Sequence, residues 1–308
     1  MRREDEMEPM TLADGGIETA LEDRLGQDLP EFAAFVLLDA PQGREALRDY
    51  YRPFIELARD LGFPVMVDTP TWRANPDWGA RLGFDAEDLE RINTDAVVLL
   101  RRLVDETLGE GTGRDATVNG CVGPRFDDYY TADRRMTADE AQAYHAPQVR
   151  ALAAAGADRV TSVTTLDAAE GIGVVRAAQE ARIPAAVSFV VGEDGRLADG
   201  STLAEAIAEV DGATGAAAIG FLVNCAHPSE VATGLAGCSG AGELGRIIGF
   251  RLNAAAQGDD GPGDAPDAFA AGEIALRELA PNATVFGGCC GTDVPHIAAL
   301  ARAGARRD

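Results

Sequence analysis

Residues 159–190 read RVTSVTTLDAAEGIGVVRAAQEARIPAAVSFV, a stretch in which two short apolar runs flank a longer segment rich in alanine. The runs at 159–163 and 185–190 are rich in Val, Thr and Phe, which predicts two β-strands. Residues 167–181 have a helical pattern, and the acids Asp167 and Glu170 favour the positive end of a helix dipole. A strand, a helix and a second strand in succession indicate an α/β fold with a parallel sheet.

The same alternation continues on both sides of this unit. It predicts further strands at residues 11–13, 64–68, 116–119, 218–223, 247–252 and 284–286, and helices at 43–61, 86–107, 137–155 and 266–279. Eight strands separated by helices predict a single-domain (β/α)8 TIM barrel over residues 1–308, with residues 1–10 frayed. An open doubly wound sheet and a barrel with an irregular seventh strand are the alternatives.

Two segments fit the alternation less well. Residues 234–245, GLAGCSGAGELG, are rich in glycine, and we expect a loop with one helical turn there. Residues 256–266, AQGDDGPGDAP, are acidic and rich in Gly and Pro, which predicts a surface loop. The sixth βα unit is therefore the weakest part of the predicted barrel.

The charge balance excludes several classes of partner. The 308 residues carry 51 acidic and 27 basic side chains, with no lysine, for a formal net charge of -24. Such a charge repels nucleic-acid phosphates and anionic membrane surfaces, so we expect neither as a partner. A high-salt cytoplasm and a GC-rich genome both explain the surplus of acids, and the sequence leaves both explanations open.

The chain shows no pattern typical of export or membrane insertion. No apolar run approaches the roughly 20 residues that a membrane span needs, and the opening MRREDEMEPM is charged. We therefore expect a cytoplasmic protein. Five cysteines, an odd number in a long chain, do not indicate a disulfide framework.

Three of the cysteines stand at the ends of predicted strands. Cys225 follows the sixth strand, and Cys289 and Cys290 follow the eighth. Since the carboxyl ends of barrel strands lie on one rim, the three sulfurs are predicted to converge. Successive side chains of a strand point to opposite faces, but the glycines on both sides of the pair let the backbone turn and aim both sulfurs inward.

The spacing of these cysteines leaves three interpretations open. Three thiolates suit Zn²⁺, and three protein ligands leave a fourth position for a substrate, as in catalytic zinc sites. Buried cysteines are also common as inert core side chains. A redox pair at Cys289 and Cys290 is the third interpretation. His227, two residues beyond Cys225, is either a fourth ligand or a structural loop residue.

The motifs around these cysteines resemble those of a known enzyme family. NCAHP at 224–228 and GGCCGT at 287–292 are similar to the paired zinc signatures of the homocysteine S-methyltransferase family. ADGGIET at 13–19 resembles its opening strand motif, and GPR at 123–125 and AGAD at 155–158 follow in the family's order. The resemblance covers nearly the whole chain.

The resemblance implies a TIM barrel with zinc at its carboxyl-terminal rim, held by Cys225, Cys289 and Cys290. The partners it implies are two small molecules, an acceptor thiol and a methyl donor. The acceptor, homocysteine, would take the open zinc position and lose its proton, then displace a methyl group from a sulfonium or ammonium donor to give methionine. The chain leaves no room for a cobalamin or folate domain beside a full barrel, so we expect S-methylmethionine, S-adenosylmethionine or betaine as donor.

The resemblance also implies a set of substrate-binding residues, namely Asp14, Gly15, Gly16, Glu18, Asn224 and Thr164. Carboxylates near the rim, Asp68 included, and the aromatic face of Trp72 could hold the donor's positive charge. The family carries a Glu-Thr pair on its fourth strand, whose Glu holds the amino group of homocysteine, whereas Thr164 stands there in this chain. The alternative functions are therefore methyl transfer to another small thiol or a selenol, and non-catalytic binding of zinc or a thiol.

The remaining candidates have ordinary structural interpretations. We expect His145 and His296 to lie on helices without a chemical role, and Cys121 to fill the core. Cys238 lies in the glycine-rich segment without an evident partner. The GxGxxG-like piece GCSGAGELG does not follow a strand in a βαβ unit, which excludes a nucleotide-binding loop.

Overall fold

The computed structural model describes residues 10–109, 116–126, 134–259 and 261–305. Within them, eight parallel strands close into a barrel in sequence order, and the last strand pairs with the first. The strands are β1 (Thr11–Ala13), β2 (Val65–Asp68), β3 (Ala116–Val122), β4 (Arg159–Thr165), β5 (Ala185–Phe189), β6 (Phe221–Asn224), β7 (Ile247–Leu252) and β8 (Val285–Gly288). The predicted TIM barrel is confirmed, and the closed order excludes an open doubly wound sheet. β7 is a continuous strand, although its pairing with β6 contains one register shift.

Helices surround the barrel and connect its strands. They are α1 (Ile17–Asp23), α2 (Pro41–Leu61), α3 (Pro76–Arg81), α4 (Ala86–Leu108), α5 (Ala138–Ala154), α6 (Ala168–Ala181), α7 (Leu203–Thr214), α8 (Pro228–Gly237), α9 (Pro266–Ala275) and α10 (Val294–Gly304). Short 3-10 helices lie at Pro30–Phe32, Ala34–Asp39, Gly242–Arg246 and Leu276–Glu278. The helix predicted at 266–279 is thus an α-helix that ends in a 3-10 turn.

Several helices begin where the sequence provides a cap. The Thr137 side chain accepts the Glu140 N–H, and the Glu140 carboxylate accepts the Thr137 N–H at the start of α5. Thr202 and Glu205 form the same reciprocal pair at the start of α7. Such capping boxes satisfy backbone N–H groups that the first helical turn leaves without partners.

The sixth βα unit differs from the prediction. The ten-residue helix α8 begins at Pro228, upstream of the glycine-rich segment, and residues 234–237 belong to it. Proline suits the first helical position, and the Glu230 carboxylate accepts the His227 N–H at 2.7 Å. The glycine-rich segment thus contains one α-helical turn, as expected, followed by a non-helical stretch at 238–241 and a 3-10 helix that begins at Gly242. The prediction did not include the upstream part of α8 or the 3-10 helix.

Residues 256–259 and 261–265 lie outside helices and strands, in agreement with the predicted surface loop. No helix among the described residues is long and apolar enough to cross a bilayer. Of the segment predicted as frayed, residues 1–9 lie outside the described residues and Met10 is buried. The extent of the single domain over residues 1–308 stays a prediction.

Apolar side chains fill the barrel and its outer layer separately. The larger cluster lies between the strands and the surrounding helices. A smaller cluster consists of Ala13, Met66, Ala186, Leu222 and Val285. Two members of this inner cluster, Met66 and Leu222, also line the cavity that opens above them. The core thus supports the cavity from below.

Candidate metal centre and active site

A cavity of about 380 Å³ lies where the strands end. The residues predicted to bind metal or substrate all line it: Asp14, Gly15, Gly16, Glu18, Thr164, Asn224, Cys225, Cys289 and Cys290. Asp68 and Trp72, the further candidates for holding the donor, line it as well. Residues that are far apart in the sequence therefore meet at one place.

The sulfurs of three cysteines form a cluster in the cavity wall. The Sγ of Cys225 lies 3.1 Å from the Sγ of Cys289 and 3.9 Å from that of Cys290. All three sulfurs lie within 4.8 Å of one another, and no second group of three His, Cys, Asp or Glu side chains at such distances occurs in the described residues. This cluster is the candidate metal centre.

Two kinds of backbone turn aim these sulfurs. Cys225 follows β6 directly and has a φ of 57°, a left-handed conformation that few residues other than glycine adopt. Behind β8, Gly291 has a φ of 75° and lets the chain turn after Cys289 and Cys290. The Cys290 N–H also donates to Asn253 Oδ1 at 3.0 Å. The glycine turn was predicted, whereas the left-handed Cys225 was not.

Gly15 and Gly16 allow the first loop to lie against the loop that follows β8. A Cβ at Gly16 would lie 2.4 Å from the carbonyl oxygen of Cys289, and one at Gly15 would lie 2.8 Å from that of Thr292. The Gly16 N–H donates to the same Thr292 oxygen at 3.2 Å. These glycines thus hold the cysteine loop in place through a close backbone contact.

The chemistry of the donor set fits zinc. Hydrogen bonds from the thiols of Cys225 and Cys290 hold the pKa of the Cys289 thiol well below its usual range, so one member of the cluster is readily a thiolate. Hydrogen bonding to Cys289 and Cys290 raises the pKa of the Cys225 thiol. Three sulfurs at one wall of an open cavity match the three-ligand arrangement of catalytic zinc sites.

His227 lies outside the sulfur cluster. Its Nδ1 is 2.8 Å from Ser229 Oγ and its Nε2 is 3.1 Å from Asp264 Oδ2. It also caps α8, so both ring nitrogens have partners away from the sulfurs. This arrangement favours the structural interpretation. Cys121 is buried and lines the cavity apart from the cluster, and Cys238 is buried in the apolar core.

The motif resemblance extends to the whole chain. Residues 11–304 match the family model described as Homocysteine S-methyltransferase. The chain belongs to the homocysteine S-methyltransferase family. It is 28% identical over 305 residues to the homocysteine S-methyltransferase of Escherichia coli (strain K12), covering 94% of this chain and 93% of that protein. The chain is therefore a methyltransferase of this family.

Crystal structures of a bacterial relative share the fold. The metallated form of the homocysteine methyltransferase MmuM from Escherichia coli has a TM-score of 0.76 and 25% sequence identity, with 97% of both chains covered. Its oxidized form has a TM-score of 0.78 and 23% identity, with 99% of this chain and 97% of that chain covered. The barrel of this family member thus has the architecture of a homocysteine methyltransferase.

Three charged side chains meet across the cavity of this family member. The Arg251 guanidinium on β7 pairs with the carboxylate of Asp14, which follows β1, and with that of Asp68 on β2. Asn119 Nδ2 donates to Asp68 at 2.7 Å. Burial raises the pKa of Asp14 to about 7, although the Arg251 guanidinium acts in the opposite direction. Asp14 therefore reaches the cavity as predicted, but with a cation already bound.

Neighbouring groups change what two further predicted residues, Trp72 and Glu18, can offer to a substrate. The Arg73 guanidinium lies 4.7 Å from the centre of the Trp72 ring, so one face of this aromatic side chain is already covered by a cation. Burial raises the pKa of Glu18 to about 8, which favours its uncharged form at neutral pH. Both residues line the cavity with the sulfur cluster.

Asn224 joins two other polar residues by hydrogen bonds. Its Oδ1 accepts from the Thr164 N–H at 2.9 Å and from the Ser188 hydroxyl at 2.5 Å. Its Nδ2 donates to Thr164 Oγ1 at 3.0 Å. Thr164 has a φ of 58°, which is strained for a β-branched residue. The network thus holds Thr164 in a backbone conformation that it would not otherwise favour.

Glu273 on α9 supports the end of β8. The side chain is fully buried, and its Oε1 accepts the Gly287 N–H at 3.2 Å. Its Oε2 has no hydrogen-bond partner in the described part of the chain. Burial raises the pKa of Glu273 well above its usual range. A carboxyl group therefore holds the strand that leads into the cysteine pair.

Sequence reasoning missed Arg251, Ser188 and Glu273. Arg251 could have been suspected, because a charged residue interrupts the apolar run IIGFRL near the rim. Ser188 gives a weaker signal of the same kind in AAVSFV. Glu273 gives none, because an acid in an amphipathic helix is ordinarily exposed, and only the packing of α9 shows that this one is buried.

Proposed function

We propose that the protein transfers a methyl group from a small sulfonium or ammonium donor to the thiol of homocysteine, giving methionine. Zn²⁺ held by Cys225, Cys289 and Cys290 is the cofactor in this proposal. Zinc supplies the positive charge that makes a coordinating thiol lose its proton. A free thiol, with a pKa near ~8.5, is only slightly ionised at neutral pH. A cytoplasmic location belongs to the same proposal, since none of the five cysteines forms a disulfide in the structure.

The single observation that carries the proposal is the convergence of three sulfurs on the wall of a cavity. A structural zinc site has four protein ligands, whereas three protein ligands leave one position for a substrate. The cavity of about 380 Å³ offers room beside the sulfurs for a small thiol and a small donor. The arrangement therefore suits transfer between two bound small molecules.

The chain's own residues bind and orient the two substrates in this proposal. Asp14 and Glu18 offer oxygens beside the sulfur cluster, and the backbone of Gly15 and Gly16 shapes the same wall. Asp68 and Trp72 lie where the donor's positive charge can be held. Holding the two reactants in line lowers the barrier by several kcal/mol without further chemistry from the protein.

Methyl transfer to another small thiol or a selenol is a second candidate. The observation that favours it is Thr164, which brings a hydroxyl group and no charge to the fourth strand of the cavity. A binding protein without turnover would hold zinc in the same way. The acceptor is therefore tested separately from the metal.

The first experiment measures metal content and ligation. Elemental analysis of protein purified without chelators should find about one zinc ion per chain. X-ray absorption should show three sulfur ligands in the protein alone and four after homocysteine is added. Incubation with S-methylmethionine, S-adenosylmethionine or betaine should then give methionine with at least one donor.

Cysteine variants test whether enzymatic activity depends on the bound metal. Cys225→Ala, Cys289→Ala and Cys290→Ala should each lose zinc and activity, because each removes one of three ligands. Cys238→Ala is the matched control, since that buried thiol lies in the apolar core. Full zinc and activity in any of the three variants would refute the site. Zinc with no fourth sulfur and no methionine would favour another acceptor.

A further inference from the structure

The orientation of the Asn224 amide is determined by its neighbours. Two donors, the Thr164 N–H and the Ser188 hydroxyl, face the same atom of this side chain. That atom must be the acceptor oxygen, because an amide nitrogen has only hydrogens to offer. The nitrogen therefore lies on the other side, where it donates to Thr164 Oγ1 at 3.0 Å.

This orientation determines what Thr164 offers to the cavity. A hydroxyl group has one hydrogen and two acceptor sites, and one acceptor site of Thr164 is occupied by Asn224. No described residue receives the Thr164 hydroxyl hydrogen, and the side chain lines the cavity. The second Asn224 N–H likewise has no acceptor among the described side chains and backbone atoms. Thr164 and Asn224 together thus present hydrogen-bond donors.

The cavity is consequently polarised. Its described acidic residues are Asp68 on β2, Asp14 directly after β1 and Glu18 on α1. Thr164 and Asn224 lie across from them on β4 and β6, and Asn224 immediately precedes Cys225. A substrate thiol at the sulfur cluster therefore has neutral donors on one side and, on the other, a charged group in which Arg251 pairs with Asp14 and Asp68.

We propose that Thr164 and Asn224 form a donor corner that binds the carboxylate of the acceptor thiol, so that small thiol carboxylates are the acceptor class. Homocysteine would place its carboxylate at this corner and its ammonium group toward Asp14. The inference rests on the proposed function, because it assumes that a thiol binds at the sulfur cluster. Thr164 and Asn224 are the specificity-determining residues, and Ser188 is a positioning residue that fixes the amide.

The test measures thiol binding rather than turnover. The cobalt-substituted protein reports thiol ligation by a change in its visible absorption, and three thiols are titrated: homocysteine, 4-mercaptobutanoate without the amino group, and 3-mercaptopropan-1-amine without the carboxylate. The wild-type protein should bind the first two within about threefold, because Arg251 already pairs with the carboxylate that the ammonium group faces. It should bind the third at least about tenfold more weakly, as expected when a charge-assisted hydrogen bond is lost.

Three variants separate recognition from folding. Thr164→Val keeps the branched shape but removes the hydroxyl group. It should weaken the binding of homocysteine and of 4-mercaptobutanoate about tenfold, and it should change the affinity for the aminothiol by no more than about twofold. Thr164→Ser retains the hydroxyl group and should bind all three thiols as the wild type does. Ser188→Ala removes one hydrogen bond that fixes the Asn224 amide. It should weaken the binding of the two thiol carboxylates less than Thr164→Val does.

Two outcomes would overturn the inference while leaving the proposed function intact. An equal loss for all three thiols in Thr164→Val would make Thr164 a purely structural residue. Tightest binding of the aminothiol by the wild type would reverse the polarity assigned to the cavity. If none of the three thiols changes the cobalt spectrum, the proposed function fails and the inference fails with it.

Discussion

The cavity has a cysteine side, where backbone lies against backbone, and a charged side, where long side chains meet. On the cysteine side, the Gly16 N–H donates to the Thr292 oxygen, and two loops lie in close contact. On the charged side, Arg251 joins the carboxylates of Asp14 and Asp68. A change on the cysteine side should therefore act on metal binding, and a change on the charged side should act on stability.

The largest effect is expected from Arg251→Met. The change leaves Asp14 and Asp68 buried without their cation, and removing one partner of a buried ion pair costs about 3–5 kcal/mol. Urea denaturation at pH 7 should show a loss in the free energy of unfolding within this range. Elemental analysis should still find about one metal ion per chain, because the sulfur cluster keeps its backbone contacts.

Arg246→Met is the matched control for this change. Arg246 pairs with Asp211 in a partly exposed position, where ion pairs contribute about 0–1 kcal/mol. Similar losses in the free energy of unfolding for the two variants would show that burial does not strengthen the contribution of the Arg251 ion pairs. Loss of metal from Arg251→Met would contradict the separation of the two sides.

Gly16→Ala tests the cysteine side. The added Cβ would meet the Cys289 carbonyl oxygen at 2.4 Å, and a backbone atom cannot rotate away. Overpacking of this kind costs about 1–3 kcal/mol. The displaced Cys289 loop should weaken metal binding by about 10–100-fold, the range typical of changes to residues that support metal ligands. Competition with a chelator measures this affinity.

Gly212→Ala is the matched control for Gly16→Ala, because it adds the same methyl group where there is space for it. Gly212 lies in α7, and a Cβ there has no atom within 4 Å. Alanine in a helix is favoured over glycine by about 0.5–1 kcal/mol, so this variant should gain stability and keep the metal. Unchanged metal affinity in Gly16→Ala would mean that the cysteine loop adapts to the first loop.

The sequence predicted the cysteine side better than the charged side for a physical reason. Adjacent cysteines and glycines form short motifs, and strands of a barrel bring their ends to one rim whatever their exact register. The contacts of Arg251 depend on register, and its partner Asp14 is 237 residues away. Thr164 was identified as a site residue, but the direction of its hydroxyl group needed the positions of Asn224 and Ser188.

Glu273→Gln should produce the smallest effect, and one that depends on pH. Burial raises the pKa of Glu273 above that of an unfolded chain, so the folded state binds a proton that the unfolded state releases above about pH 4.5. The contribution of Glu273 to stability is thus complete at low pH and falls as pH rises. Glutamine keeps an acceptor for the Gly287 N–H without this loss.

Denaturation at pH 5 and pH 8 should therefore show Glu273→Gln gaining stability relative to the wild type at the higher pH. Glu230→Gln is the matched control, because both Glu230 oxygens accept backbone N–H groups, from His227 and Gln257. Glutamine has only one oxygen, so this control should be less stable than the wild type at both pH values. A constant difference between Glu273→Gln and the wild type would mean that Glu273 is already charged when folded. The end of β8 would then be held by a carboxylate rather than by a carboxylic acid.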